Sequence, residues 1–237
     1  MIVPTRFRAA CYPDSDGQPM ADNTLQFEWI TTLKWGCELL FADRPDVFVA
    51  GDHLIYPVDD PDDIIQIAPD VYVAFGRPKG YRGSYRVWEE DNVFPQVVFE
   101  VWSPGNRYKQ MEDKWKAYDL YGAEEYYIIY PEHPSFVEAW VRDEGKLVPV
   151  PDIKTWVSPR LGIRFESRKG NLNVVRPDGT KFLTYMEINE RLKTELHRVE
   201  QETKRAEHEA KRATSAEERA ERLAAKLREL GIDPDAK

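Results

Sequence analysis

The sequence predicts a mixed α/β domain followed by a long C-terminal helix. Two observations carry that expectation. Up to about Tyr185, short β-branched and aromatic runs alternate with proline- and glycine-bearing corners, and one lysine-dotted helical segment lies among them. From Met186 to Leu230 the chain has no proline or glycine and consists almost entirely of helix formers. The expected boundaries are an α/β domain at residues 1–182 and a helical or coiled-coil tail at residues 183–237.

The elements follow in order. Asp22 or Asn23 can cap a first helix whose apolar residues Leu25, Trp29, Leu33, Cys37 and Leu40 recur at helical spacing. Extended runs follow at Val47–Pro57, Val71–Gly76 and Gln96–Trp102. A helix from about Arg107 to Tyr121, stopped by Gly122, leads into a further strand at Glu125–Pro131. The later pieces read as hairpins around Glu-Gly, Lys-Gly and Asp-Gly turns. The central pattern is therefore β-β-β-α-β, a meander followed by a crossover helix. In the tail, Leu192, Leu196, Val199, Thr203, Ala206, Ala210 and Ala213 alternate four-and-three, and the seam resumes at Ala216 after one three-residue slip. Gly231 is placed to cap that helix and Pro234 to end it. The seam suits a homodimeric coiled coil, and its alanine content also suits a solvated single helix.

The 237 residues, 42% apolar, suffice for one substantial core. A net charge of −9 argues against indiscriminate coating of nucleic acid or anionic membrane and leaves room for a local basic patch. Cys11 and Cys37 have no metal-ligand spacing and read as reduced thiols. No signal-peptide pattern and no run of about 18 apolar residues occurs, so a cytoplasmic protein without a membrane partner is expected.

One feature of this pattern points to chemistry. Glu100 ends an otherwise apolar strand, and Asp70 stands just before another. In an antiparallel meander the start of one strand lies beside the end of the next, about 4.8 Å away, so the two carboxylates converge. Such a pair repels unless a proton or cation intervenes, and a hard divalent ion, most naturally Mg²⁺, resolves the conflict. On the following helix Lys114 or Trp115 shares the face of Met111, Tyr118 and Tyr121, so Lys114 lies at the edge of the buried stripe. There it can stabilise charge on a pentacovalent phosphate. The competing readings are a turn residue for Asp70 after Pro69, a plain salt bridge for Glu100, and a solvated helix lysine for Lys114.

The order "APDVYVAF", "VVFEVWSPGNR", "DKWKAY", "YGAEEYYIIYP" resembles the Uma-type restriction-endonuclease family, a branch of the PD-(D/E)XK nucleases, over roughly Cys11 to Thr184. The resemblance implies a restriction-endonuclease-like mixed sheet flanked by helices and an endonuclease that hydrolyses DNA phosphodiesters. It implies Asp70 and Glu100 as ligands of Mg²⁺, with Mn²⁺ as a substitute, and the Val101 carbonyl as a further oxygen ligand. The lysine usual two residues after the acid is absent, since Trp102 stands there, and Lys114 takes the role in relatives of this type. That departure keeps open a second reading, a nuclease fold without catalysis that binds nucleic acid or assembles with partners. Some members of the superfamily place an extra acid on the first helix, for which Glu28 is the candidate, against an exposed position.

Directly after the strand begun by Asp70, "GRPKGYRGSYRVWEED" sets Arg77, Lys79, Arg82 and Arg86 among Tyr81, Tyr85 and Trp88. Guanidiniums with interleaved aromatics suit phosphate contact and base stacking, and they equally suit surface ion pairs.

Overall fold

Helix α1 spans Thr24–Leu40 in the computed structural model, which describes residues 12–105 and 108–231. Cys11, the helix start expected at Arg107 and the stop expected at Pro234 lie outside those residues. Of the two candidate caps it is Asn23, in extended backbone, whose side chain accepts from the Gln26 N–H. Asp22 instead accepts the hydroxyl hydrogen bond of buried Ser103, which ties the start of the helix to the sheet.

The strands are β1 (Val47–Gly51), β2 (Ile55–Tyr56), β3 (Val71–Phe75), β4 (Tyr85–Arg86), β5 (Val97–Val101), β6 (Glu125–Tyr130), β7 (Phe136–Asp143), β8 (Lys146–Pro149), β9 (Arg164–Arg168) and β10 (Asn171–Val175). Helix α2 (Tyr108–Tyr121) connects β5 to β6. The main sheet has the order β1-β3-β5-β6-β7-β8. Its pairings are antiparallel except β5–β6, which is parallel and therefore needs the α2 crossover. The expected β-β-β-α-β core is thus present.

One extended run is not the single strand that its composition predicts. Residues 47–57 split at Asp52, which has a φ of 46° and donates its N–H to the Asp70 carbonyl. The chain turns out of the main sheet there, and Ile55 and Tyr56 pair in parallel with Tyr85 and Arg86. The hairpins turn at Glu144-Gly145 and Lys169-Gly170, all four residues having positive φ, as tight hairpins require.

Both faces of the sheet are covered, which is why β1, β3, β5 and β6 read as near-continuous apolar runs. Val49, Val73, Val97, Phe99 and Tyr127 pack towards Ile30, Leu33 and Cys37 of α1. The alternate residues Phe48, Tyr72, Val98, Tyr126 and Ile128 pack towards Met111 and Tyr118 of α2. This two-residue alternation decides which face each polar side chain in the sheet meets.

The chain divides into two compact units, one ending at Thr184 and one beginning at Tyr185. The second is helix α3 (Tyr185–Glu229), none of whose residues is buried. Lys226 and Arg228 sit in its last turn, where cations oppose the carbonyl end of the dipole. Leu192, Leu196, Val199 and Leu223 of the seam are all more than half exposed.

Gly36 sits where α1 meets the buried Phe182 ring, and a Cβ there would lie 2.1 Å from the ring. Alanine in a helix interior ordinarily gains about 1 kcal/mol over glycine. Overpacking a filled core costs about 1–3 kcal/mol. Gly36→Ala is therefore expected to lower the urea midpoint, while an exposed helix position would show a rise.

Candidate functional site

The register Val71↔Phe99, Tyr72↔Val98, Val73↔Val97, carried one step further, sets Asp70 against Glu100. Directly opposed residues of antiparallel strands point to the same face. By the alternation of Tyr72 and Val98, that is the α2 face. The ladder does not continue as backbone pairing at this level: Asp70 Oδ2 accepts the Val101 N–H at 2.6 Å. The Asp70 carboxylate is thereby fixed beside the strand that carries Glu100.

Glu100 is 2% exposed, and burying a carboxylate demands compensation. Helix α2 supplies it from two residues one turn apart. Lys114 Nζ donates to Glu100 Oε2 at 2.7 Å and to the Ala68 carbonyl at 2.8 Å. The Tyr118 hydroxyl donates to Glu100 Oε1 at 2.5 Å. The helical spacing that brings Lys114 and Tyr118 to one side also brings Met111 onto the sheet. Burial and then the charge of Glu100 hold the Tyr118 hydroxyl protonated well above its usual range. Burial pulls the Lys114 ammonium down, but Glu100 and Asp70 together outweigh it and leave its pKa above the ordinary value. Asp70 goes the other way: burial first and the Glu100 charge second push its pKa up to about 7, against the pull of Lys114 and the Val101 N–H.

A cleft of about 510 Å³ opens beside this group, lined by Asp70 and Lys114 together with Asp22, Gln26 and Asp52. Gln26 and Asp52 are additions that the sequence reading lacks. Buried Gln26 donates from Nε2 to the Val101 carbonyl at 3.1 Å, and its Oε1 accepts the Asp22 N–H at 2.8 Å. The sequence signal for it was the Asn-x-x-Gln spacing of a capping box, in which the glutamine reaches back over the helix start. Glu28, the candidate extra acid, is exposed. Asp52 is exposed, and its charge contributes to the rise at Asp70. Among the described residues no group of three or more His, Cys, Asp or Glu side chains converges as a metal cage does.

The four cations between β3 and the end of β4 are all engaged within the protein. Arg77 pairs with Asp91 at 2.6 Å and Lys79 with Glu38 at 2.6 Å. Arg82 forms a two-armed pair with Glu90 at 2.5 and 3.1 Å and lies over the Phe48 ring. Arg86 reaches Glu89 at 3.5 Å and the Tyr12 carbonyl at 3.1 Å. Tyr85 is buried, and Tyr81 is 94% exposed.

A mixed sheet with a β-α-β crossover and helices on both faces is the α/β class that the sequence predicts. The family model Uma2, "Putative restriction endonuclease", matches residues 25–174, more than half of the chain, and the chain belongs to that family. A crystal structure of a putative nuclease belonging to DUF820 from Anabaena variabilis ATCC 29413 is similar over 61% of this chain and 78% of that one, at 11% identity and a TM-score of 0.43. No curated protein matches the sequence. No helix among the described residues is long and apolar enough to cross a membrane.

The raised Asp70 pKa has a measurable consequence without metal. The folded protein binds the Asp70 proton up to about pH 7, whereas an unfolded chain releases it near 3.8. The unfolded state therefore binds fewer protons in that window, and stability falls as pH rises through it. In EDTA, the stability difference between wild type and Asp70→Asn is expected to shift in favour of the variant from pH 4 to 7 and to level off above. Urea midpoints across that range check this, and parallel curves would refute it.

Proposed function

We propose that the first unit is a divalent-metal-dependent DNA endonuclease acting in the cytoplasm. One observation carries the reading. Asp70 and Glu100 stand level on one sheet face, and the single ammonium of Lys114 reaches Glu100 from the crossover helix. The donors suit a hard ion such as Mg²⁺, or Mn²⁺ in its place, because all are oxygens and two of them are carboxylates facing the one charge of Lys114. Asp70, Glu100 and the Val101 carbonyl would hold that ion. Gln26 uses one lone pair of the carbonyl, leaving the other. When bound, the ion supplies Lewis-acid polarisation of the phosphate and a nucleophile available at neutral pH.

The remaining steps belong to the chain. Tyr118 keeps one Glu100 oxygen aligned, and the Val101 N–H keeps Asp70 in register with it. Lys114, released from Glu100 but still held by the Ala68 carbonyl, directs its charge at the phosphate as negative charge develops there. Arg77, Lys79 and Arg86 are proposed to contact DNA phosphates, exchanging their partly exposed pairs for them. Arg82 is included in that surface and also secures its loop through Glu90.

A second reading also has an observation behind it. Lys114 neutralises Glu100 internally and Trp102 replaces the usual lysine, which suits a fold that binds nucleic acid without cutting it. Plasmid nicking in Mg²⁺ or Mn²⁺ decides between them. Glu100→Ala is expected to abolish nicking, and Lys114→Ala to slow it about 100-fold or more. Equal nicking by wild type and Glu100→Ala would sink the endonuclease reading. Absence of any Mn²⁺ affinity that depends on Asp70 and Glu100 would favour the binding module.

The uncovered seam of α3 supports a homodimer formed through the tail. Light scattering is expected to give twice the chain mass for the full protein and a single chain mass after truncation behind Tyr185. An unchanged oligomeric state after truncation would remove the tail from that role.

A further inference from the structure

A second cleft, of about 230 Å³, lies on the same sheet face as the carboxylates. Met111 lines both clefts, and Lys114 and Trp115, neighbours on α2, line one each. The second cleft opens at Trp102, two residues beyond Glu100 on the same face of the strand.

Its walls are aromatic and unusually open. Trp102 stacks on Tyr130 with centroids 5.6 Å apart and packs against Tyr108 at 5.1 Å. Tyr130 in turn stacks on Phe136 at 4.3 Å, and Trp140 lies 5.3 Å from Tyr126. Tyr108 is 83% and Phe136 50% exposed, so these rings do more than fill the core.

The polar groups are more telling. Trp115 Nε1 and the Tyr126 hydroxyl, both in residues lining the cleft, are buried with no hydrogen-bond partner among the described residues. An unpaired buried donor is unfavourable, and a ligand acceptor that reached it would relieve that. Burial and the nearby charge of Glu100 keep the Tyr126 hydroxyl protonated, so it remains available as a donor. Glu112 and Glu138 are among its lining residues, and among the described residues none that lines it is basic. The described lining, with its two carboxylates and stacked rings, suits a flat, uncharged ring that carries both acceptors and N–H donors.

We propose that this cleft receives an unstacked nucleobase of the strand whose phosphate lies at Asp70, Glu100 and Lys114. The inference rests on the nucleic-acid reading of the first cleft. Trp102 then stands in place of the superfamily lysine as a stacking surface, and the domain favours single-stranded or locally unpaired DNA over intact duplex.

The test uses the full-length protein in Ca²⁺ buffer and two labelled single strands identical except for a central abasic position. Base–aromatic stacking of about 1–3 kcal/mol corresponds to roughly 5- to 150-fold in affinity. The intact strand is expected to bind about tenfold more tightly than the abasic one and to quench tryptophan emission. Trp102→Leu should erase that ratio. Trp115→Phe keeps a ring and removes the unpaired N–H, so it should reduce the ratio severalfold while circular dichroism shows the fold retained. Equal affinities for the two strands, with nicking still dependent on Glu100, would overturn the base cleft and leave the endonuclease reading standing. A base-dependent ratio without nicking would keep the cleft and remove the catalysis. Absence of strand binding, together with a chain mass that Trp102→Leu halves in light scattering, would show a contact between copies and overturn the inference.

Discussion

The first unit is organised around the buried charge of Glu100. At 2% exposure this carboxylate is out of reach of bulk water, and α2 meets its need with the Lys114 ammonium and the Tyr118 hydroxyl. Removing one partner of such a group leaves an uncompensated charge, which is far costlier than the pair is stabilising. The crossover helix is thereby fixed in rotation as well as position. Only with Lys114 and Tyr118 towards the sheet do Met111 and the alternate residues of β5 and β6 pack against it.

The same constraint explains the electrostatic asymmetry of the acid pair. Glu100 has two dedicated donors, whereas Asp70 has a backbone N–H and shares the field of Lys114. Burial and the neighbouring Glu100 charge accordingly raise the Asp70 pKa. Gln26 extends the support to a further layer, since one amide side chain joins the start of α1 to the carbonyl that follows Glu100. The sheet, both covering helices and the corner at Ser103 thus meet within a few residues.

Most of the fold was legible because local periodicity encodes it. The apolar runs of β3, β5 and β6, the helical spacing of α1 and the Lys-Gly and Glu-Gly turns all report backbone geometry within a few residues. The run at residues 47–57 was misleading because its composition is uniformly extended. The break depends on Asp52 adopting positive φ and bonding the Asp70 carbonyl, a contact between residues distant in the chain. For the loop cations, composition gave residue type but not partner. Arg82 reads the same in sequence whether it faces solvent or, as here, Glu90 and Phe48.

Sequence alone determined the family, the strand and helix order, and the presence of an acid at the end of a buried strand, because residue spacing and side-chain chemistry are properties of the chain itself. It also restricted the lysine to the edge of the α2 stripe. Only the tertiary structure decided that Lys114 closes onto Glu100 and not into solvent, that Tyr118 completes the carboxylate, and that Gln26 and Asp52 border the cleft. It also decided that Trp115 and Tyr126 keep unpaired donors beside an open aromatic wall. The reason is that hydrogen-bond partners and burial are set by strand register and helix rotation, which bring together residues separated by up to 81 positions.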